Sequence, residues 1–207
     1  MTTHAHSVTE HAHHEHHDHH QQETDSRLVF GFWLYIMSDC LIFASLFAAF
    51  AVLHNATFDG FSVKQFTDLP YVLTETLFLL ASSFTYGMAI LALYKEHRQK
   101  VIMWLIITFL LGLTFVMLEI HEFVHLIEEG HGPDSSAAMS SFFTLVGTHG
   151  LHVSMGLFWM LVMVLQISVF KLSPAIKRRL TYLGLFWAFL DIVWIFVFSI
   201  VYLMGAI

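Results

Sequence analysis

The chain is 207 residues long, with 57% hydrophobic and only 12% charged residues, about half the charged share of a soluble domain. Its mean hydropathy is +0.67, and it carries 21 Phe, a single Cys and a net charge of −7. Those values exclude a water-soluble globule, a disordered chain, a disulfide scaffold and a nucleic-acid binder, and leave an integral membrane protein.

Residues 1–27 are of a different composition from the rest. Nine of the sixteen histidines lie there, mixed with Glu, Asp, Ala, Thr and Gln. Such a segment has almost no apolar surface to bury, which predicts a disordered, His-rich cytoplasmic tail. Clustered imidazoles could also buffer metal loosely. No basic stretch precedes the first apolar run, and that run is too long for a signal peptide.

The remainder, 28–207, reads as one transmembrane domain. Five apolar runs, each reaching the length of about 20 residues that a crossing needs, predict helices over 29–53, 70–94, 101–125, 142–170 and 180–204. Pro70, Pro133 and Pro174 fall at their ends or between them, where a helix tolerates proline. A β-barrel would show alternating short segments instead of unbroken runs. The predicted fold is therefore all-α, a polytopic membrane bundle of five transmembrane helices.

Charge sets the expected orientation. Arg27, the 95–100 link (Lys95, Arg98, Lys100) and the 171–179 link (Lys171, Lys177, Arg178, Arg179) hold eight of the nine Lys and Arg, leaving only Lys64 in the 54–69 link. The 126–141 link is acidic, with Glu128, Glu129 and Asp134. Basic loops stay inside, so the N-terminus is expected to be cytoplasmic and the C-terminus periplasmic.

Ionisable side chains within the spans cost about 2.5–3.5 kcal/mol each on insertion scales and call for a reason. Asp39 and Asp191 lie near the middle of the first and fifth spans. Glu75, Glu119, Glu122, His149 and His152 fall at a common depth towards the expected outer side. They are read as one buried polar cluster in which Glu75, Glu119 and His149 satisfy one another, with Glu122 or His152 nearby. Hydrogen-bonded contact between helices and proton or ion movement are both open to such groups. In the fifth span Trp187, Asp191 and Trp194 recur at helical spacing and share one face, which predicts a packed contact. Small residues at Ser83 and Gly87, and at Gly147, Gly150 and Ser154, favour close helix approach.

Residues 121–125 read HEFVH. On a helix, His121 and His125 would share a face able to bind zinc, with Glu122 placed as general base. A catalytic zinc needs a third protein ligand, and His149, His152 or an outer acid could supply it only outside any recognisable motif. A stand-alone membrane metalloprotease is thus one alternative. A small proton or ion transporter is another, although no internal repeat is present. Histidine pairs could also ligate haem, but there is no C-x-x-C-H, phosphate loop or G-x-S-x-G. The reading assigns no catalytic, cofactor-binding or metal-binding residue to the chain.

Three stretches carry a resemblance: FGFWLYIMSDCLIFASLFAAF (Phe30 to Phe50), GTHGLHV (Gly147 to Val153) and FWAFLDIVWIFVFSIVYLMG (Phe186 to Gly205). In this order and spacing they resemble subunit III of the haem–copper terminal oxidases, and within that family the branch of the bacterial cytochrome o ubiquinol oxidases. The resemblance extends over nearly everything from residue 28 onward. It implies a five-span subunit without haem or copper, which packs against the catalytic subunit I beside subunits II and IV and holds phospholipid in a cleft. The haems, the copper and the quinol chemistry would belong to those neighbours. Residue by residue, the family's lipid-cleft carboxylate falls on Asp39, its paired histidines on His149 and His152, and its late W-H-F-x-D segment on Trp187 to Asp191. Ala188 stands where that segment has histidine.

Overall fold

The computed structural model describes residues 4–53, 69–130, 132–133, 135–169 and 173–203, with the side chains of 4–26, 69 and 202–203 left aside. Lys64, Asp134, Lys171 and Gly205, used above for orientation or resemblance, lie outside these residues. Every described element is helical: α1 (His4–Leu53), α2 (Leu69–Tyr94), α3 (Arg98–Glu128), α4 (Ala137–Val169) and α5 (Pro174–Val197), with a π-helical turn at Phe198–Leu203. Five stretches are long and apolar enough to cross a membrane: Arg27–Leu53, Pro70–Tyr94, Arg98–Glu128, Ala137–Val169 and Pro174–Val201.

The helix ends differ from the apolar runs where capping chemistry extends them. The fifth helix starts at Pro174 instead of residue 180, because Ser173 accepts a hydrogen bond from the Ile176 amide and proline occupies the first helical turn. Lys177, Arg178 and Arg179 thereby belong to the opening turns of α5 and not to a link. Likewise the Ser136 hydroxyl accepts from the Met139 amide, so α4 begins at Ala137, ahead of the expected 142. The backbone is helical from His4, where an unstructured tail was expected. Residues 4–30 contain neither Pro nor Gly, so nothing local stops a helix propagating backwards from the first span.

The α2–α3 link shrinks to three residues, 95–97. Glu96 takes a left-handed φ of 58°, while its amide bonds Leu93 O and the His97 amide bonds Ala92 O. This double closure is a Schellman cap with glutamate in the place that glycine usually fills. At the far end of α3, Gly130 holds the corresponding position with φ 83°, and its amide bonds Ile127 O.

The chain divides into two compact units, Met1–Leu41 and Ile42–Ile207. The first comprises most of α1. In the second, α2 packs on α3, α3 on α4, α4 on α5, and α5 returns to α2, closing a four-helix ring. Its centre holds Trp187, Trp194, Phe115, Leu145, Met160 and Leu183, all fully buried. Around them Leu77, Leu110, Leu151, Phe158 and Ile192 point outwards and are exposed. An apolar exterior around an apolar core is the pattern expected where lipid replaces water.

Candidate functional site

Lipid supplies no hydrophobic force to drive helices together, so close packing and polar contacts must do it. The α2–α5 seam shows how. The Trp187 indole N–H donates to Ser82 Oγ at 3.0 Å, and that hydroxyl donates to Leu79 O at 2.6 Å. Two turns away, the Trp194 indole donates to Thr76 Oγ1 at 3.0 Å, and Thr76 donates to Val72 O at 2.9 Å. Each indole is thus satisfied by a hydroxyl that is satisfied by its own helix. Between them the Ser83 hydroxyl donates to the Asp191 carboxylate. Nearer the start of α5, the Tyr86 hydroxyl donates to Leu180 O at 2.6 Å. Tyr86 meets the start of α5 at Leu180 while Thr76, earlier on α2, meets Trp194 further along α5, so the helices run antiparallel.

The rings of this seam are seated on glycines. A Cβ at Gly112 would stand 2.9 Å from both Leu157 Cδ2 and Trp187 Cη2. One at Gly156 would meet the Trp187 ring at 3.1 Å, and one at Gly184 would meet Tyr86 Cε1 at 2.6 Å. Trp187 therefore lies against bare backbone on α3 and α4 while its N–H reaches α2. Trp187, Asp191 and Trp194 are all buried. The α2 partners Thr76, Ser82 and Tyr86 were missed, although together with Ser83 they form a polar stripe of helical period on α2.

A second polar region joins the start of α2 to the end of α3. The Tyr71 hydroxyl donates to Leu118 O at 3.1 Å, and its ring lies 6.5 Å from that of His121. Glu122 and Glu119 lie within electrostatic reach of Glu75. Glu75 is fully buried and Glu119 nearly so. The Glu119 carboxylate occupies the space a Cβ on Gly150 would need, 2.6 Å away. The expected mutual satisfaction of Glu75, Glu119 and His149 through hydrogen bonds is not seen here. Both Glu75 oxygens and Glu119 Oε1 have no hydrogen-bond partner among the described residues.

His149 is not joined to these acids by a hydrogen bond. Its fully buried ring sits among aromatics, 5.1 Å from Trp194, 6.1 Å from Phe115 and 6.3 Å from Phe43, and neither nitrogen has a hydrogen-bond partner among the described residues. His152 Nδ1 lies 2.8 Å from Thr148 O one turn back, and its ring packs 5.2 Å from Phe43. The reason for the mismatch is angular: equal depth on α3 and α4 does not make two side chains point into the same space.

In the first unit, Asp39 lies one turn beyond Tyr35, whose hydroxyl hydrogen-bonds its carboxylate. In the HEFVH stretch, His125 Nε2 stands 3.5 Å from Glu129 Oε1. Among the described residues no three His, Cys, Asp or Glu side chains converge on a point that could hold a metal ion.

Opposite the acids, the basic ends of the helices are tied together. Lys177 Nζ pairs with Glu96 Oε1 at 2.6 Å, the Arg98 guanidinium donates to Ser168 O, and Arg179 reaches Gln166 Oε1 at 3.3 Å. The hydrogen bond from Lys177, reinforced by its charge, holds the Glu96 carboxyl below the ordinary carboxylate range.

Comparison with known proteins bears on this architecture. A family model described as cytochrome c oxidase subunit III matches residues 3–206. The chain is 56% identical over 185 residues to cytochrome bo(3) ubiquinol oxidase subunit 3 of Pseudomonas aeruginosa, covering 89% of this chain and 88% of that one. It is 51% identical to the subunit of the same name from Pseudomonas putida, over 86% of each chain. It is 41% identical to quinol oxidase subunit 3 of Bacillus subtilis, over 95% of this chain and 96% of the other. A membrane-spanning helical bundle matched from end to end in this way belongs to the cytochrome c oxidase subunit III family.

Proposed function

We propose that the chain is the cofactor-free accessory subunit III of a proton-pumping ubiquinol oxidase of the aerobic respiratory chain. The observation that carries the reading is the 56% identity, over nearly the whole of both chains, to a ubiquinol oxidase subunit 3. The bundle suits such a role: the Trp187 and Trp194 indoles and the hydroxyls of Tyr71, Ser83, Thr85 and Tyr86 tie one helix to another. In this reading the catalytic subunit I holds the haems and copper, and the present chain packs on it beside subunits II and IV.

The finer assignments belong to the same proposal. The N-terminus is cytoplasmic and the C-terminus periplasmic, in the inner membrane of a bacterium, supported by the Lys and Arg distribution. Residues 1–27 form a His-rich arm separate from the 28–207 bundle. Phospholipid is retained in a cleft near Asp39. Asp39→Asn should leave the haem spectrum of the complex unchanged and alter lipid retention only modestly. The test of the main reading is purification through a tag on this chain from membranes solubilised in mild detergent. Haem-bearing subunits should come with it in stoichiometric amount. A chain that purifies alone, with zinc and a peptidase activity lost in Glu122→Gln, would replace this reading with the metalloprotease one.

A further inference from the structure

The helix α1 runs well beyond its membrane span. The span begins at Arg27, and the backbone is helical back to His4. At 1.5 Å per residue that extension is about 35 Å long. Little in its composition holds such a helix. Its only apolar residues are Ala5, Val8 and Ala12, too few for a stripe that packs on a neighbour. His, Asp, Ser and Thr are poor helix formers, and most helical stability in proteins comes from a packed face.

Nine histidines lie along the extension, and helical register sorts them into two kinds. His6, His11, His14 and His19 each have an acid four residues on, at Glu10, Glu15, Asp18 and Glu23, the spacing at which unlike charges support a helix. His13, His16, His17 and His20 have no acid four residues away in either direction. They stand four apart from one another instead, 13 with 17 and 16 with 20, and within residues 4–26 no other two histidines have that spacing. At 3.6 residues per turn all four fall within an arc of about 100°, on one face and outside the span. Histidines four apart on a helix are an established metal-chelating pair, and imidazole suits Zn, Cu and Ni. An ion that bridges one turn binds the helical backbone better than the open chain, so it stabilises the helix it sits on.

We infer that the face carrying His13, His16, His17 and His20 is a divalent transition-metal site, in which imidazole pairs one turn apart hold the ion and the ion holds the extension helical. Its role is structural and adds no redox chemistry to the subunit. The inference goes beyond the accessory-subunit reading and is independent of it. It turns on helical register, not on the abundance of histidine.

The experiment uses the full chain with its accompanying subunits, purified in mild detergent through a tag that contains no histidine. Amide hydrogen exchange over residues 4–26 is followed by mass spectrometry with Zn²⁺ and with a chelator, and bound zinc is measured in parallel. With free Zn²⁺ at about ten times its dissociation constant, exchange around His13–His20 should slow about tenfold. His13→Gln, His16→Gln, His17→Gln and His20→Gln together should abolish that slowing and the zinc bound there. His4→Gln, His11→Gln, His14→Gln and His19→Gln, an equal number on the other side of the helix, should preserve both. Zinc bound without slowing, no zinc bound at all, or equal losses in the two variants would overturn the inference. Each of those results leaves the accessory-subunit reading intact, which fails instead if no haem-bearing subunit accompanies the chain.

Discussion

Gly112→Ala is the sharpest test of how the bundle is held together. The new methyl group would stand 2.9 Å from Leu157 Cδ2 and from Trp187 Cη2, too close for either contact to persist. Trp187 cannot easily swing away, because its indole N–H is fixed to Ser82 at 3.0 Å and its other face lies against Gly156. Overpacking of this kind costs about 1–3 kcal/mol, while replacing a mid-helix glycine by alanine returns about 1 kcal/mol. Gly147→Ala is the matched control, since its Cβ would make only an ordinary 3.6 Å contact with Phe123, so the return is kept and the penalty avoided. The two variants should therefore differ by about 1–3 kcal/mol. At roughly 2–4 °C per kcal/mol for a chain of this size, Gly112→Ala should melt about 2–12 °C below Gly147→Ala. The assay is thermal unfolding of the purified protein in detergent, followed by tryptophan fluorescence. Trp187→Phe in the Gly112→Ala background should recover part of the loss, because the smaller ring lacks the clashing atoms. Equal melting of the two alanine variants, or additivity of Gly112→Ala with Trp187→Phe, would refute the account of an aromatic ring seated on backbone.

Trp194→Phe removes the indole donor to Thr76 and should cost about 1–2 kcal/mol, the range found for membrane hydrogen bonds plus a small loss of contact, and Thr76→Val should not add to it in a double-mutant cycle. Gly130→Ala places a side chain at φ 83° and should cost about 1–2 kcal/mol, seen as faster amide exchange in the last turn of α3. Glu96 carries its stabilising charge above its ordinary pKa of 4.5 and loses it as pH falls through the lower value of the folded protein. Lys177→Met should therefore raise the Glu96 midpoint in a carboxyl titration by NMR, and an unmoved midpoint would exclude the ion pair in solution.

The number and kind of elements were readable because bilayer thickness translates directly into run length. Their ends were not, because an apolar count stops at Leu180 while Ser173 and Pro174 start the helix two turns earlier. Helical period alone puts Trp187, Asp191 and Trp194 on one face of α5. Their partners were not legible: period says which residues of α5 point together, not that α2 supplies Thr76, Ser82 and Ser83 opposite them. Depth likewise brought Glu75, Glu119 and Glu122 into one group, yet it could not distinguish their direction from that of His149, which turns into the aromatic rings of Phe43, Phe115 and Trp194. The resemblance identified in GTHGLHV and FWAFLDIVW supplied what neither period nor depth could, the identity of the assembly. The glycine seats under Trp187 and Tyr86 had no signature in the sequence, because a glycine under a ring and a glycine on open lipid are spelled alike.

We propose that this chain supports a quinol oxidase without carrying its chemistry. The most direct test is quinol-driven oxygen consumption by the purified complex from cells in which only this chain is deleted, expressed per haem and followed from the first seconds. Initial turnover per haem should be largely retained, while the complex loses activity faster on warming. An initial turnover abolished in a complex whose haems are fully inserted would contradict it.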